Sequence, residues 1–211
     1  MDSTLAQVIF CGENPEMRLV RLDNVDVEIA FASYWHCTYS PHGSGQLLAL
    51  HIEPNVLEPD ADALTVLLAD NLPLGRALVD ELVQFFPGVG HIPFTTIKVE
   101  AGILSQSGDG KNRYHVESRS AQHEIDITWE YMLDTRLPHT YADFIHEADR
   151  GTLLDVSNVI CPMAQGSIHV DGVPVGGRVH SFHDGTMQRS TAFLAFSETW
   201  VRRPAVVSAG G

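Results

Sequence analysis

Along most of the chain, hydrophobic and polar positions alternate over short runs, the period of a half-buried β-strand. The pattern predicts strands at Gln7–Cys11, Arg18–Leu22, Val27–Tyr39 and Gln46–Glu53. It predicts others at Thr95–Ser105, Arg113–Arg119, Gln122–Met132, Leu154–Ile160, Ser167–Val170, Gly177–Phe182 and Ser190–Arg202. Turn sequences separate them: Pro41-His42-Gly43-Ser44-Gly45, Gly108-Asp109-Gly110, Asp171-Gly172 and Asp184-Gly185. Asp-Gly pairs supply the positive φ that tight hairpins require.

Pro59–Pro87 breaks the alternation and reads as helical. A first short piece covers Asp60–Ala69. A second helix starts at Pro73 behind an Asn71 cap and sets Leu74, Ala77, Leu78, Leu82 and Phe85 on one side. Phe86-Pro87-Gly88 would end it. A further helix is expected over Thr140–Ala148, with Thr140 as cap and Asp143 three residues later. No repeat or linker interrupts the chain, so residues 1–211 are expected to form one domain. The expected class is α+β, mostly antiparallel β, as a curved sheet or barrel-like fold with a helical insertion near 60–86.

Register decides which side chains share a face. Pairing Trp35 with Leu50 gathers Phe31, Trp35, Cys37, Leu48, Leu50 and Ile52 on a core face. The opposite face then holds Ala32, Tyr34, His36, Leu47, Ala49 and His51. Small apolar positions around a few polar groups suit a ligand cavity. Tyr34, His36 and His51 are therefore the leading candidate site, although buried histidines are often only structural. In the central hairpins, Ile103 is placed opposite Val116 and Val116 opposite Ile125, which sets His115 against Asp126 and Glu117 against Glu124. Lys98, Glu100, His115, Glu117, Arg119, Glu124 and Asp126 would share one face. A solvated, salt-bridged surface is the expectation there, and buried opposed carboxylates the alternative.

His-x-Glu occurs twice on strand-like runs, as His51-Ile52-Glu53 and His115-Val116-Glu117. Residues two apart share a face, so each run sets an imidazole beside a carboxylate, able to move a proton or ligate a metal. Glu198 lies between Phe196 and Trp200 on an apolar strand face, where a carboxyl group can be held partly protonated. The expectation is simpler: a strand end emerging into solvent, with Glu198 pairing to Arg202 and Arg203.

Composition narrows the partners. A net charge of −14 and a pI near 5.0, with Lys98 and Lys111 the only lysines, argue against nucleic acid and anionic membrane surfaces. No apolar run approaches a membrane-spanning length, and MDSTLAQVIFCGENPE lacks a signal peptide's basic and apolar regions, so a cytoplasmic location is expected. Cys11, Cys37 and Cys161 are too few and too scattered for a disulfide framework or a zinc site. Phosphate-loop, dinucleotide, nucleophile-elbow and H-E-x-x-H motifs are absent.

Gly166-Ser167-Ile168-His169-Val170 followed by Asp171-Gly172-Val173-Pro174-Val175-Gly176-Gly177 is similar to a hairpin of lipocalin-like hydratases and cyclases. The helical insertion departs from that pattern, so the likeness is an analogy of fold and carries no site residue.

The leading functional expectation is a cofactor-independent lyase, isomerase or cyclase working by acid/base chemistry on a small, largely apolar molecule in a β-barrel cavity. His51 or His36 would be the base, Tyr34 would hold a substrate oxygen, and Glu117 would share a proton. Trp35, Ala49, His115 and Asp126 would line the substrate. No metal and no cofactor are assigned in this reading. Alternatives are a non-catalytic small-molecule binding protein, and a metal-dependent hydrolase or oxygenase using His51, Glu53, His115 and Glu117. Exposed sheet edges leave room for a homodimer.

Overall fold

A computed structural model describes residues 6–83, 91–147 and 152–204. Within them the chain forms strands β1 (Gln7–Glu13), β2 (Glu16–Val20), β3 (Glu28–Tyr39), β4 (Gly45–Ile52) and β5 (Leu64–Ala69), then helix α1 (Leu72–Glu81). A single 3-10 turn at Phe94–Thr96 precedes β6 (Glu100–Ala101), β7 (Ile103–Gly108), β8 (Arg113–Arg119), β9 (Glu124–Met132) and β10 (Leu137–Glu147). The long β11 (Thr152–Val170) leads to β12 (Val173–Pro174), β13 (Ser181–His183), β14 (Gln188–Ser190) and β15 (Ala192–Pro204).

Thirteen strands form one sheet along the path β6-β5-β4-β3-β1-β15-β11-β9-β8-β7, with β10 and β12 on β11, and β2 bridging β15 and β3. Among the described ladders only β5–β6 is parallel. The path is not closed into a barrel. Its two end strands, β6 and β7, are joined by the chain itself at Gly102, whose N–H donates to Ala69 O at 3.0 Å.

Two apolar clusters show how the sheet is bent. One gathers Tyr34, Leu48, Leu50 and Leu68 with Leu104, Tyr114, Val116, Ile127, Trp129, Met163 and Leu194. These residues come from both ends of the hydrogen-bonded path, and they meet only because the sheet curls on itself. Side chains fill the space so enclosed, as they do in small barrels. The second cluster lies on the other face of β3–β5, where Phe31, Trp35, Leu47, Ala49, Leu67 and Ala69 meet Leu74, Leu78 and Val79 of α1 and Leu82 just beyond it. Strands buried on both faces read as continuous apolar runs, as Val66–Ala69 does.

The helix starts where the sequence places it. Asn71 Oδ1 accepts from Leu74 N at 3.2 Å, and Pro73 occupies the first turn, where its missing N–H costs nothing. Gly75 lets α1 approach β5 closely: a Cβ there would lie 2.7 Å from Ala69 Cβ. The helix ends at Glu81, while the stop expected at Phe86-Pro87-Gly88, and Phe85 with it, lies outside the described residues.

Several expectations are overturned. Asp60–Ala69 is not helical, because Leu64–Ala69 is strand β5, paired to β4 along its whole length. Thr140–Glu147 belongs to strand β10. Thr95–Ser105 divides into the 3-10 turn, β6 and β7. Trp35 pairs with Leu47, three residues from the expected Leu50. An odd slip exchanges faces, so His51, Ala49 and Leu47 join Phe31 and Trp35, while Leu48 and Leu50 come to the side of Tyr34 and His36. Ile103 pairs with Arg119 and points outward at 77% exposure. Val116 pairs with Ile127, an even slip that keeps the faces but sets Glu117 opposite Asp126 and Arg119 opposite Glu124. No helix among the described residues is long and apolar enough to cross a membrane.

Candidate functional site

Two irregularities in the sheet meet at one place. Between β1 and β2, Asn14-Pro15 interrupts pairing with β15: Gly12 opposes Glu198, and regular pairing resumes at Glu16 opposite Phe193. On the other side of β15 the register with β11 shifts, from Ser157 opposite Thr199 to Val159 opposite Phe196. Ser197 and Glu198 thus share one partner position, Asn158. This is a β-bulge, and Ser197 adopts φ of 52°. The extra residue reverses the alternation of β15. Ala192 and Leu194 face the first apolar cluster, whereas Trp200 belongs to the second.

The bulge turns Glu198 into a cavity of about 250 Å³ lined by Asn14, Glu16, Arg18, His139, Tyr141, Val156, Asn158, Ile160, Phe193 and Trp200. Glu198 is only 1% exposed. Its carboxylate accepts three N–H groups: Trp200 Nε1 at 2.6 Å and Asn14 Nδ2 at 3.3 Å on Oε1, and Asn158 Nδ2 at 2.9 Å on Oε2. Asn14 is held in turn by Ser33, whose hydroxyl donates to Asn14 Oδ1 at 2.8 Å. No cation among the described residues pairs with Glu198. The expected partners are engaged elsewhere: Arg202 with Glu81 at 2.7 Å and Arg203 with Asp155 at 2.6 Å. Burial raises the Glu198 pKa to about 7, opposed by the three donors and reinforced by Glu16. A carboxyl group near half-protonation at neutral pH can both give and take a proton.

Around this centre, Glu16 is buried and pushed up by burial, against the pull of Arg18, whose Nε donates to it at 2.9 Å. Arg18 also reaches Glu28 at 3.5 Å and lies over the Phe31 ring at 5.4 Å. His139 and Tyr141 share a hydrogen bond of 2.6 Å, and burial, with help from Arg189, lowers the His139 pKa.

The residues singled out from sequence are dispersed. His51 bonds Thr65 Oγ1 at 2.8 Å, and its Nε2 lies 3.5 Å from Glu53, with His91 Nε2 at 3.6 Å from the same oxygen. Burial lowers the His51 pKa despite Glu53. Tyr34 lies on the other face, donates to Gln46 and packs against Tyr114; burial raises its pKa. His36 Nδ1 is 4.0 Å from Glu13. The shared Tyr34/His36/His51 cavity is therefore not formed. Trp35 sits edge-on to Phe10 at 5.0 Å in the second core, and Ala49 is buried in the same cluster.

His115, Glu117 and Asp126 do meet, on the outer face of β8–β9. Their ligand atoms lie within 4.8 Å of one another. Glu117 approaches Nδ1 at 4.0 Å and Asp126 approaches Nε2 at 3.4 Å. The two carboxylates thus approach opposite ring nitrogens of His115. Among the described residues, His51 and Glu53 do not join this group.

In the sequence alone Glu198 reads as a solvated strand end, and no motif marks Asn14, Glu16, Arg18, Asn158 or His139. One signal was present: in Val156-Ser157-Asn158-Val159-Ile160 an amide alternates with Val156 and Ile160 on what would be an apolar face. No protein-family model matches the chain, and no curated protein matches it in sequence.

Proposed function

We propose that the protein is an acid/base enzyme of lyase, isomerase or cyclase type acting on a small, largely apolar molecule, with Glu198 as the proton-transferring group. The observation that supports this reading is a fully buried carboxyl group with no cationic partner among the described residues, held by three N–H donors and opening on a cavity. Structural carboxylates are normally exposed or paired, because burying an unpaired charge is costly. Strongly shifted groups in clefts mark functional sites more often than other residues do.

In this reading Glu198 moves the proton, and Asn14, Asn158 and Trp200 fix its position. Val156, Ile160 and Phe193 receive the apolar body of the substrate. His139 and Tyr141 stand beside it as a neutral hydrogen-bonding pair.

The test is turnover. Compounds that bind the purified protein by ligand-observed NMR are incubated with wild type and with Glu198→Gln, and product is followed. A loss of about 10²–10⁴-fold in kcat is expected, the usual worth of a general acid or base. Equal turnover in the two proteins would remove Glu198 from the chemistry.

A further inference from the structure

The inner wall of the Glu198 cavity offers a carboxylate with an open acceptor position. Asn158 turns its amide nitrogen to Glu198 Oε2, which orients the amide and leaves Oδ1 facing elsewhere. That Oδ1 is shielded from solvent and has no hydrogen-bond partner among the described residues. Glu198 accepts two N–H groups on Oε1 and one on Oε2. A carboxylate has about four lone-pair directions, so one on Oε2 stays open. The open position on Oε2 thus waits for hydrogen, and a buried acceptor left unmatched is unfavourable.

Charge points the same way. The cavity wall carries Glu16 and Glu198 against one guanidinium, Arg18, which is already shared between Glu16 and Glu28. An anionic ligand would find no cation to itself. The remaining walls include the aromatic rings of Phe193, Tyr141 and Trp200, whose faces attract cations. A primary ammonium satisfies all of this at once, with three donors, no acceptor and one positive charge.

We infer that the cavity takes a small primary amine, with its ammonium group on the open side of Glu198 Oε2 and its apolar body against Phe193, Ile160 and Val156. This rests on the cavity being the functional site and narrows its substrate class. A carboxylate is repelled by Glu16 and Glu198. An alcohol supplies a hydrogen but no positive charge to pair with the carboxylate.

Calorimetric titration of the full chain tests the inference, with benzylamine and butylamine compared with benzyl alcohol and benzoate at pH 8. One of the amines is expected to bind at least about tenfold more tightly than benzyl alcohol and benzoate, the worth of one charge-assisted hydrogen bond. Its affinity should fall roughly tenfold between pH 8 and pH 6, as Glu198 takes up its proton. Glu198→Gln should abolish the preference for amine. Ile160→Trp fills the cavity without touching the polar cradle, so it should block binding even if Glu198→Gln fails to fold. Benzoate binding as tightly as benzylamine, or amine binding unchanged in both variants, would overturn the inference. So would the absence of binding by all four compounds. Binding of benzyl alcohol that depends on Glu198, with no advantage for the amine, would also overturn it while leaving the acid/base reading in place.

Discussion

Glu198 is balanced between two opposing effects, and each can be altered alone. Burial favours the neutral acid, while the Trp200, Asn158 and Asn14 N–H groups favour the carboxylate. Trp200 makes the shortest of the three bonds, at 2.6 Å. Trp200→Phe keeps an aromatic ring in place and removes the donor. A hydrogen bond to a charged group contributes about 1.5–3 kcal/mol, so Glu198 should titrate about one to two units higher in the variant. Carbon-13 NMR of labelled glutamate side chains reads this directly, and an unshifted titration would show that the indole N–H does not hold the charge. Residue type alone could not have predicted this balance. Glu198 stands four and five positions before two arginines, and nearness in sequence suggested an ion pair. The bulge points the carboxylate to the opposite face, and Arg202 and Arg203 find Glu81 and Asp155 instead.

At the scale of elements, hairpins and helix starts are legible because their signals are local. Arg113–Arg119 is a strand at the predicted bounds, and Asn71 caps α1 as expected. Asn71→Ala should therefore cost about 1 kcal/mol in urea unfolding, the usual value of an N-cap; no loss would mean that packing alone fixes the helix start. Register is not local. β3 and β4 are buried on both faces, so Phe31 to Trp35 and Leu47 to Leu50 offer no polar side to anchor a frame. A three-residue slip then leaves the apolar pattern intact while it separates Tyr34 from His51. The bulge hides the site in the same way, since period-two reading across Ser197 assigns every later residue of β15 to the wrong face. Ser197 is exposed, so its backbone conformation can be tested with little change in packing. Ser197→Val puts a β-branched residue at positive φ and should lower stability by about 1–2 kcal/mol, whereas Ser197→Gly should be neutral or stabilising. If the two variants melt at the same temperature, the positive φ carries no strain.

At the scale of the whole molecule, burying an acid couples the fold to pH. The direction follows from proton counting. Glu198 has an ordinary value near 4.5 when unfolded and about 7 when folded, so between those values the native state holds a proton that the unfolded chain has released. Its contribution to stability is complete below about pH 4.5 and is lost as pH rises through 7. At about 1.4 kcal/mol per unit, the loss between pH 5 and pH 8 approaches roughly 2–3 kcal/mol. Burial raises Glu16 and Glu28 in the same sense. His51 and His139, both lowered by burial, act oppositely: their neutral forms add stability above the ordinary histidine range, and it is lost as pH falls through their lowered folded values. A melting curve of the wild type alone would mix these contributions, so the measurement is a difference. Unfolding free energies of wild type and Glu198→Gln are compared at pH 5, 6, 7 and 8, where all groups but one cancel. The wild-type advantage should shrink steadily across that series. A constant difference would mean that Glu198 has an ordinary carboxylate pKa, and the argument for a proton-transferring group in the cavity would fail with it.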